Sequence, residues 1–312
     1  DEARIEYLGS AQVQALTTAQ FNALGDLAVQ AMGTADVQAL TSTQIGSMRT
    51  SDVNELSTDQ VQALTTAQIR ALTSGQLNGM ADVTVQALTS SQIQALTSTQ
   101  VQGISSAQLN TIGSAQVQAL SSTQIKALTT AQISAVSSAQ LEALTSAQVQ
   151  VLSSDQLNVL TLGSLQAIEA ADLQTIGTSQ IAALSSTQLN NLSTDQVRGL
   201  TSTQLQSLTT VQMQRISSVQ VEAMTAEQVK VLSSTQLNAL NSTALQAIET
   251  ADVQEMTTAQ LSTLSSDQIN RLTTDQVQAL TTAQVQALTS TQLNGMNSSA
   301  VAALNSTDLQ AL

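Results

Sequence analysis

The sequence has no Pro, Cys, Trp or His, and only one Tyr and one Phe. Without thiols or imidazoles there is no disulfide, no thiolate nucleophile, no zinc or haem ligation through Cys or His, and no histidine acid–base catalyst. Eight Lys and Arg stand against 22 Asp and Glu, a net charge of −14. That balance argues against nucleic acid or an anionic membrane surface as a partner. With so few aromatics, base stacking and most aromatic hot spots are excluded too. No apolar run approaches the roughly 18 residues of a membrane span. The start, Asp1-Glu-Ala-Arg, is not a signal peptide. The expectation is no enzyme, no catalytic or cofactor-binding residue, no metal, no nucleic acid and no membrane insertion.

What is present is a repeat. The 312 residues divide into 39 octapeptides without insertion or deletion. With positions lettered a to h, and h at every residue number divisible by eight, e and h are apolar in all 39 octads. Position d is Gln in 28 octads, a and b are mostly Ser or Thr, and f is mostly Gln or Asn. One continuous α-helix fails this pattern, because eight residues at about 100° each leave about 80° of drift per octad. A plain strand fails as well, since e and h lie three apart and would face opposite ways. The chain must turn once per octad.

Ser/Thr-x-x-Gln at positions a to d has the form of a helix capping box, as in Thr17-Thr18-Ala19-Gln20 and Ser137-Ser138-Ala139-Gln140. The apolar h before it and e after it then stand where a hydrophobic staple stands, as Leu16 with Phe21. Charge placement gives an independent check. Seventeen of the 22 acids lie at a to d, and six of the eight bases lie at f or g, which suits a short helix dipole. Gly at position a (Gly9, Gly25, Gly33, Gly113, Gly177) suits a corner between helices. Helices so short must stack to be stable. The expected fold is therefore an all-α, tight α-solenoid of 39 octapeptide units, each one short capped helix, with a β-solenoid as the alternative.

The number of octads per coil rests on a thinner signal. Asn78, Asn110, Asn158, Asn190, Asn238 and Asn270 stand at f with gaps that are all multiples of 16, whereas Asn22, Asn54 and Asn294 take the opposite phase. This favours two octads per coil; three or four stay open.

Five octads past the first lack Gln or Asp at d, at Ala28, Thr84, Ser164, Ala244 and Ala300. Two of them open near copies 80 residues apart, at Leu165–Asp172 and Leu245–Asp252, which points to a duplicated block. In those copies Glu169/Asp172 and Glu249/Asp252 bring two carboxylates together. They read either as a weak cation site or as a capping variant with Asp in place of Gln, and two carboxylates do not specify Ca²⁺. Ser and Thr are plentiful, but no base is placed to activate one.

The octapeptide seen whole at Ala279–Gln286 (Ala-Leu-Thr-Thr-Ala-Gln-Val-Gln) resembles the Ala-Leu-Thr-Thr-x-Gln repeat arrays of very large bacterial exported proteins labelled adhesin-like or haem-utilisation-like. The resemblance covers the whole chain and brings no functional residue with it. It implies an extracellular or cell-surface location. The haem label has no ligand to rest on in a chain without His or Cys. The organisation expected is a single continuous array over residues 1–312, cut from a longer protein, with 1–8 (Glu6, Tyr7) an atypical first unit. The expected function is a spacer, stalk or scaffold in a large surface or secreted adhesin-like protein. The alternatives are a self-assembling filament or sheath subunit, and a module that binds ice, glycan or protein through a Thr/Ser/Gln ladder. Its partners would be other segments of the same protein, copies of itself, or a cell-surface glycan or protein.

Overall fold

The structure, a computed structural model, describes residues 8–312. The expectation of an atypical first octad therefore lies outside the described residues, apart from Leu8. The described residues carry 38 α-helices of four to six residues, one per octad, from α1 (Ser10–Ala15) to α38 (Ser306–Ala311), and no strand. The fold is an all-α repeat solenoid; the β alternative does not apply.

Most helices start as the capping box requires. At α8 (Thr66–Ala71) the N-cap Thr65 has φ −71° and ψ 159°; its hydroxyl accepts from the Gln68 amide at 3.3 Å, and its own amide donates to Gln68 Oε1 at 2.7 Å. The helix ends on Leu72, which is extended at φ −61° and ψ 134°. Two extended residues, h and then a, thus make the corner with no left-handed residue. Among the described residues only Gly25 has a positive φ, 82°. Gly9, Gly33, Gly113 and Gly177 sit in the same extended conformation as Ser or Thr. All five glycines stand at a corner between helices, as expected, but only Gly25 uses a conformation that glycine favours.

The chain forms two compact units, Asp1–Leu152 and Ser153–Leu312. Within each, helices pack on their third neighbours. In the first, α5 (Ser42–Ser47) lies against α8; in the second, α28 (Ala226–Lys230) lies against α31 (Thr250–Glu255). Position g meets position b three octads back. A Cβ on Gly79 would strike the Thr50 side chain, and one on Gly103 would strike Ser74, so these two glycines permit a close approach. The expected coil of two octads is therefore wrong. A coil takes between three and four, because contacts recur at the third octad and the hydrogen bonds described below at the fourth.

The e and h side chains of both units face inward. Val61, Ile69 and Val149 in the first unit and Leu205, Leu237 and Leu261 in the second are completely covered. In octads 38 and 39, Val301 and Leu309 at e are 44% and 51% exposed, so a core position is buried by later octads and not by its own helix. No described helix is long and apolar enough to cross a membrane.

Candidate functional site: buried amide rungs between coils

The residue that organises the structure is the Gln at position d. A primary amide accepts through its oxygen and donates two N–H groups. The capping box uses only the oxygen. In the structure the nitrogen is used as well, on the coil four octads back. Gln60 Nε2 donates to Val29 O at 3.0 Å and Met32 O at 2.7 Å, while its Oε1 accepts from Ser57 N at 2.7 Å. Gln276 repeats this in the second unit, donating to Leu245 O at 3.0 Å and Ile248 O at 2.7 Å and accepting from Thr273 N at 3.0 Å. These amides are buried alongside the apolar core, Gln276 at 1% exposure. The h carbonyl is a helix-end group with no partner in its own helix. One glutamine thus satisfies the start of its own helix and the end of another. Each such bond is worth about 1 kcal/mol net, and each buried group left unpaired costs about 1–3 kcal/mol.

A second, exposed set of links starts from position f. Asn54 Nδ2 donates to Gly79 O at 2.8 Å, and its Oδ1 accepts from Ala81 N at 2.7 Å. Asn78, Asn158, Asn190, Asn238 and Asn270 make the same pair of bonds, 25 and 27 residues ahead. The Arg70 and Arg198 guanidiniums reach the equivalent carbonyls of Ala95 and Ala223, each at 3.2 Å. The f-position asparagines thus mark a reach to the third and fourth octads, not a 16-residue coil. A trace of this is present in the sequence. Thr fills position a in 16 octads, yet it never stands 27 residues after an f-position Asn.

Where d is not Gln, the rung is rebuilt or lost. In octad 31 the d residue is Ala244, and Asn241 at a takes over. Its Oδ1 caps Ala244 N at 2.9 Å, and its Nδ2 donates to Gln214 O at 3.1 Å and Ile216 O at 3.2 Å. Asn297 likewise caps Ala300 N, and Asn305 caps Asp308 N, each at 2.9 Å. These are the only three asparagines at position a, and none shares its octad with a Gln at d. That coincidence was readable in advance.

The paired carboxylates behave less simply. Glu169 and Glu249 are the N-caps of α21 (Ala170–Leu173) and α31, and neither caps through its side chain. Asp252 at N3 of α31 is buried. Among the described residues no group of three or more acidic side chains converges where it could hold a metal ion. Arg49 and Asp52 form an ion pair at 2.6 Å inside one octad, and Lys230 lies 3.8 Å from Glu255. The hydroxyls at position a are engaged as caps. Two cavities in the first unit, of about 30 and 20 Å³, are lined almost wholly by e and h side chains between Leu77 and Leu152. They are far below the roughly 150 Å³ that admits benzene. The first sits where Gln108 reaches only Met80 O, at 3.2 Å, and not the e carbonyl beside it.

No curated protein matches the chain. The family model described as the ALTTAQ repeat matches residues 29–66, 47–82, 101–130, 129–162, 165–202 and 245–282. Those six stretches cover more than half of the sequence and fall in both compact units. On that ground, the chain belongs to the ALTTAQ repeat family.

Proposed function

We propose that this structural repeat protein is a spacer within a large exported bacterial surface protein, holding another part of that protein at a set distance and catalysing nothing. The observation that carries the reading is the repeated rung. Each regular octad is bonded by the same glutamine rung to the octad four back and packs on the third, so octads are interchangeable and length is set by their number. The lack of Cys and the low Lys and Arg content suit export before folding. Segments of the same protein are its expected partners, at the cell surface.

The absence of cysteine makes a clean test available. Cysteines introduced at Ser202 and Ser298, both exposed, accept a spin-label pair. Removing one whole octad between them (residues 281–288), or two (273–288), should keep cooperative unfolding and shorten the label distance with each octad removed. Removing half an octad (281–284) moves every later e and h side chain out of register and should collapse the helical signal beyond it. Loss of folding on removal of a whole octad would overturn the reading, as would an unchanged distance.

A further inference from the structure

Glutamine rungs end on the h carbonyl four octads back, as Gln276 does on Ile248 and Gln284 on Met256. In octad 32 the residue in that place is Asp252, 8% exposed, and the carbonyl in register with it is that of Met224, which closes the octad of α27 (Ser218–Glu222) and is also buried. A carboxylate only accepts hydrogen bonds, so an ionised Asp252 has nothing to offer a carbonyl oxygen. Two other acids at position d each have a donor. Asp36 accepts the Ser10 hydroxyl at 2.7 Å, and Asp52 holds the Arg49 guanidinium. Asp252 has neither kind of partner. The charged groups around it are Glu249 and Glu255 on its own octad, Glu227 and Lys230 on α28, Glu222 on α27 and Asp275 on α34 (Thr274–Gln278); α35 (Thr282–Gln286) brings none. The one cation, Lys230, lies by Glu255. Burial raises the Asp252 carboxyl above its ordinary value of 3.8, and the charges of Glu249 and then Glu255 push the same way.

We propose that Asp252 is an acid-closed rung. Protonated, its O–H donates to the Met224 carbonyl and ties α31 to the octad of α27, as Gln does elsewhere. On ionisation the proton returns to solvent, the carboxylate meets the carbonyl lone pairs and two neighbouring glutamates, and the link opens. The folded value lies above the unfolded one. The stabilisation is therefore complete below 3.8 and is lost as pH rises through the folded value.

The test uses the full chain and two variants, D252N and D252Q, whose amides carry a donor at every pH. Hydrogen exchange is followed at the amides of residues 217–224 and 249–256 from pH 4 to 7, with intrinsic rates divided out. Wild type should match D252N at pH 4, then lose protection by up to about tenfold per pH unit between 3.8 and the raised value, while D252N changes little. D252Q replaces D252N as the reference should the shorter amide not fold. Parallel protection of wild type and variant across the range would overturn the proposal. So would an Asp252 carboxyl that titrates at 3.8 or below by carbon NMR.

Discussion

Octads 35 and 36 and octads 31 and 32 lie in the same compact unit and hold the same kind of helix, yet they are fastened differently. Gln276 and Gln284 each tie one helix start to two or more carbonyls of an earlier coil. Octad 31 does the same work with an asparagine displaced to the N-cap, and octad 32 puts a buried carboxyl in its place. What recurs is an amide of the helix's first turn and the h carbonyl four octads earlier. The residue that satisfies them can change, provided that both a donor and an acceptor remain.

The largest effect should come from removing a regular rung. Gln276→Leu keeps the bulk but strands Thr273 N–H, Leu245 O and Ile248 O. With each unpaired buried group costing about 1–3 kcal/mol, and some relief from water, the loss should be about 3 kcal/mol. It would be read from the urea midpoint of the far-ultraviolet helical signal. A loss within error of an exposed substitution would make the rung a cap only, and would erase the contrast between octads 35 and 31.

Next comes the exchange of one device for the other. Asn241→Ser removes the donor to Gln214 and Ile216 and should cost about 1–2 kcal/mol. Ala244→Gln sets a second amide against the Ile216 carbonyl that Asn241 already holds, at a fully buried site, and should cost about 1–3 kcal/mol. The double variant recreates the regular Ser-x-x-Gln octad and should return close to wild type. In a double-mutant cycle the coupling should thus nearly cancel the two single losses. Additive losses would show that Asn241 and Ala244 are unrelated choices.

Much of this architecture is legible in the residue pattern, and the parts that are not share one cause. The helix starts, the corner after every h and the inward e and h rows follow from spacing and capping chemistry, because both partners of each interaction lie within one octad. The coil does not, because its bonds run 25 to 31 residues along the chain. Gln68 illustrates the division. Its Oε1 bond to Thr65 is local and expected, whereas its Nε2 bonds to Val37 and Leu40 depend on which coil lies alongside. The f-position asparagines mislead for the same reason. Their spacing resembles a period of the coil, but each is a bridge whose far end is 25 and 27 residues away. Asp252 was visible only as half of a carboxylate pair. Its isolation shows once the carbonyls in register with it are known.

The smallest effect separates two asparagines that make the same pair of bonds to later octads. Asn54 accepts the amide of Ala81, in an octad whose d residue is Thr84; Asn238 accepts the amide of Ser265, in an octad whose d residue is Gln268. In Asn238→Ala the Gln268 oxygen can turn to the Ser265 amide and re-form the ordinary capping box, so the loss should be about 0.5 kcal/mol, chiefly the lost donor to Thr263. In Asn54→Ala no local amide can take over, and Ala81 N–H is left to water at an exposed corner. That variant should lose about 1 kcal/mol more, with faster exchange confined to the Ala81 amide. Equal losses would mean that solvent serves both corners equally well. The f-position bridges would then add reach between coils without deciding how each helix begins.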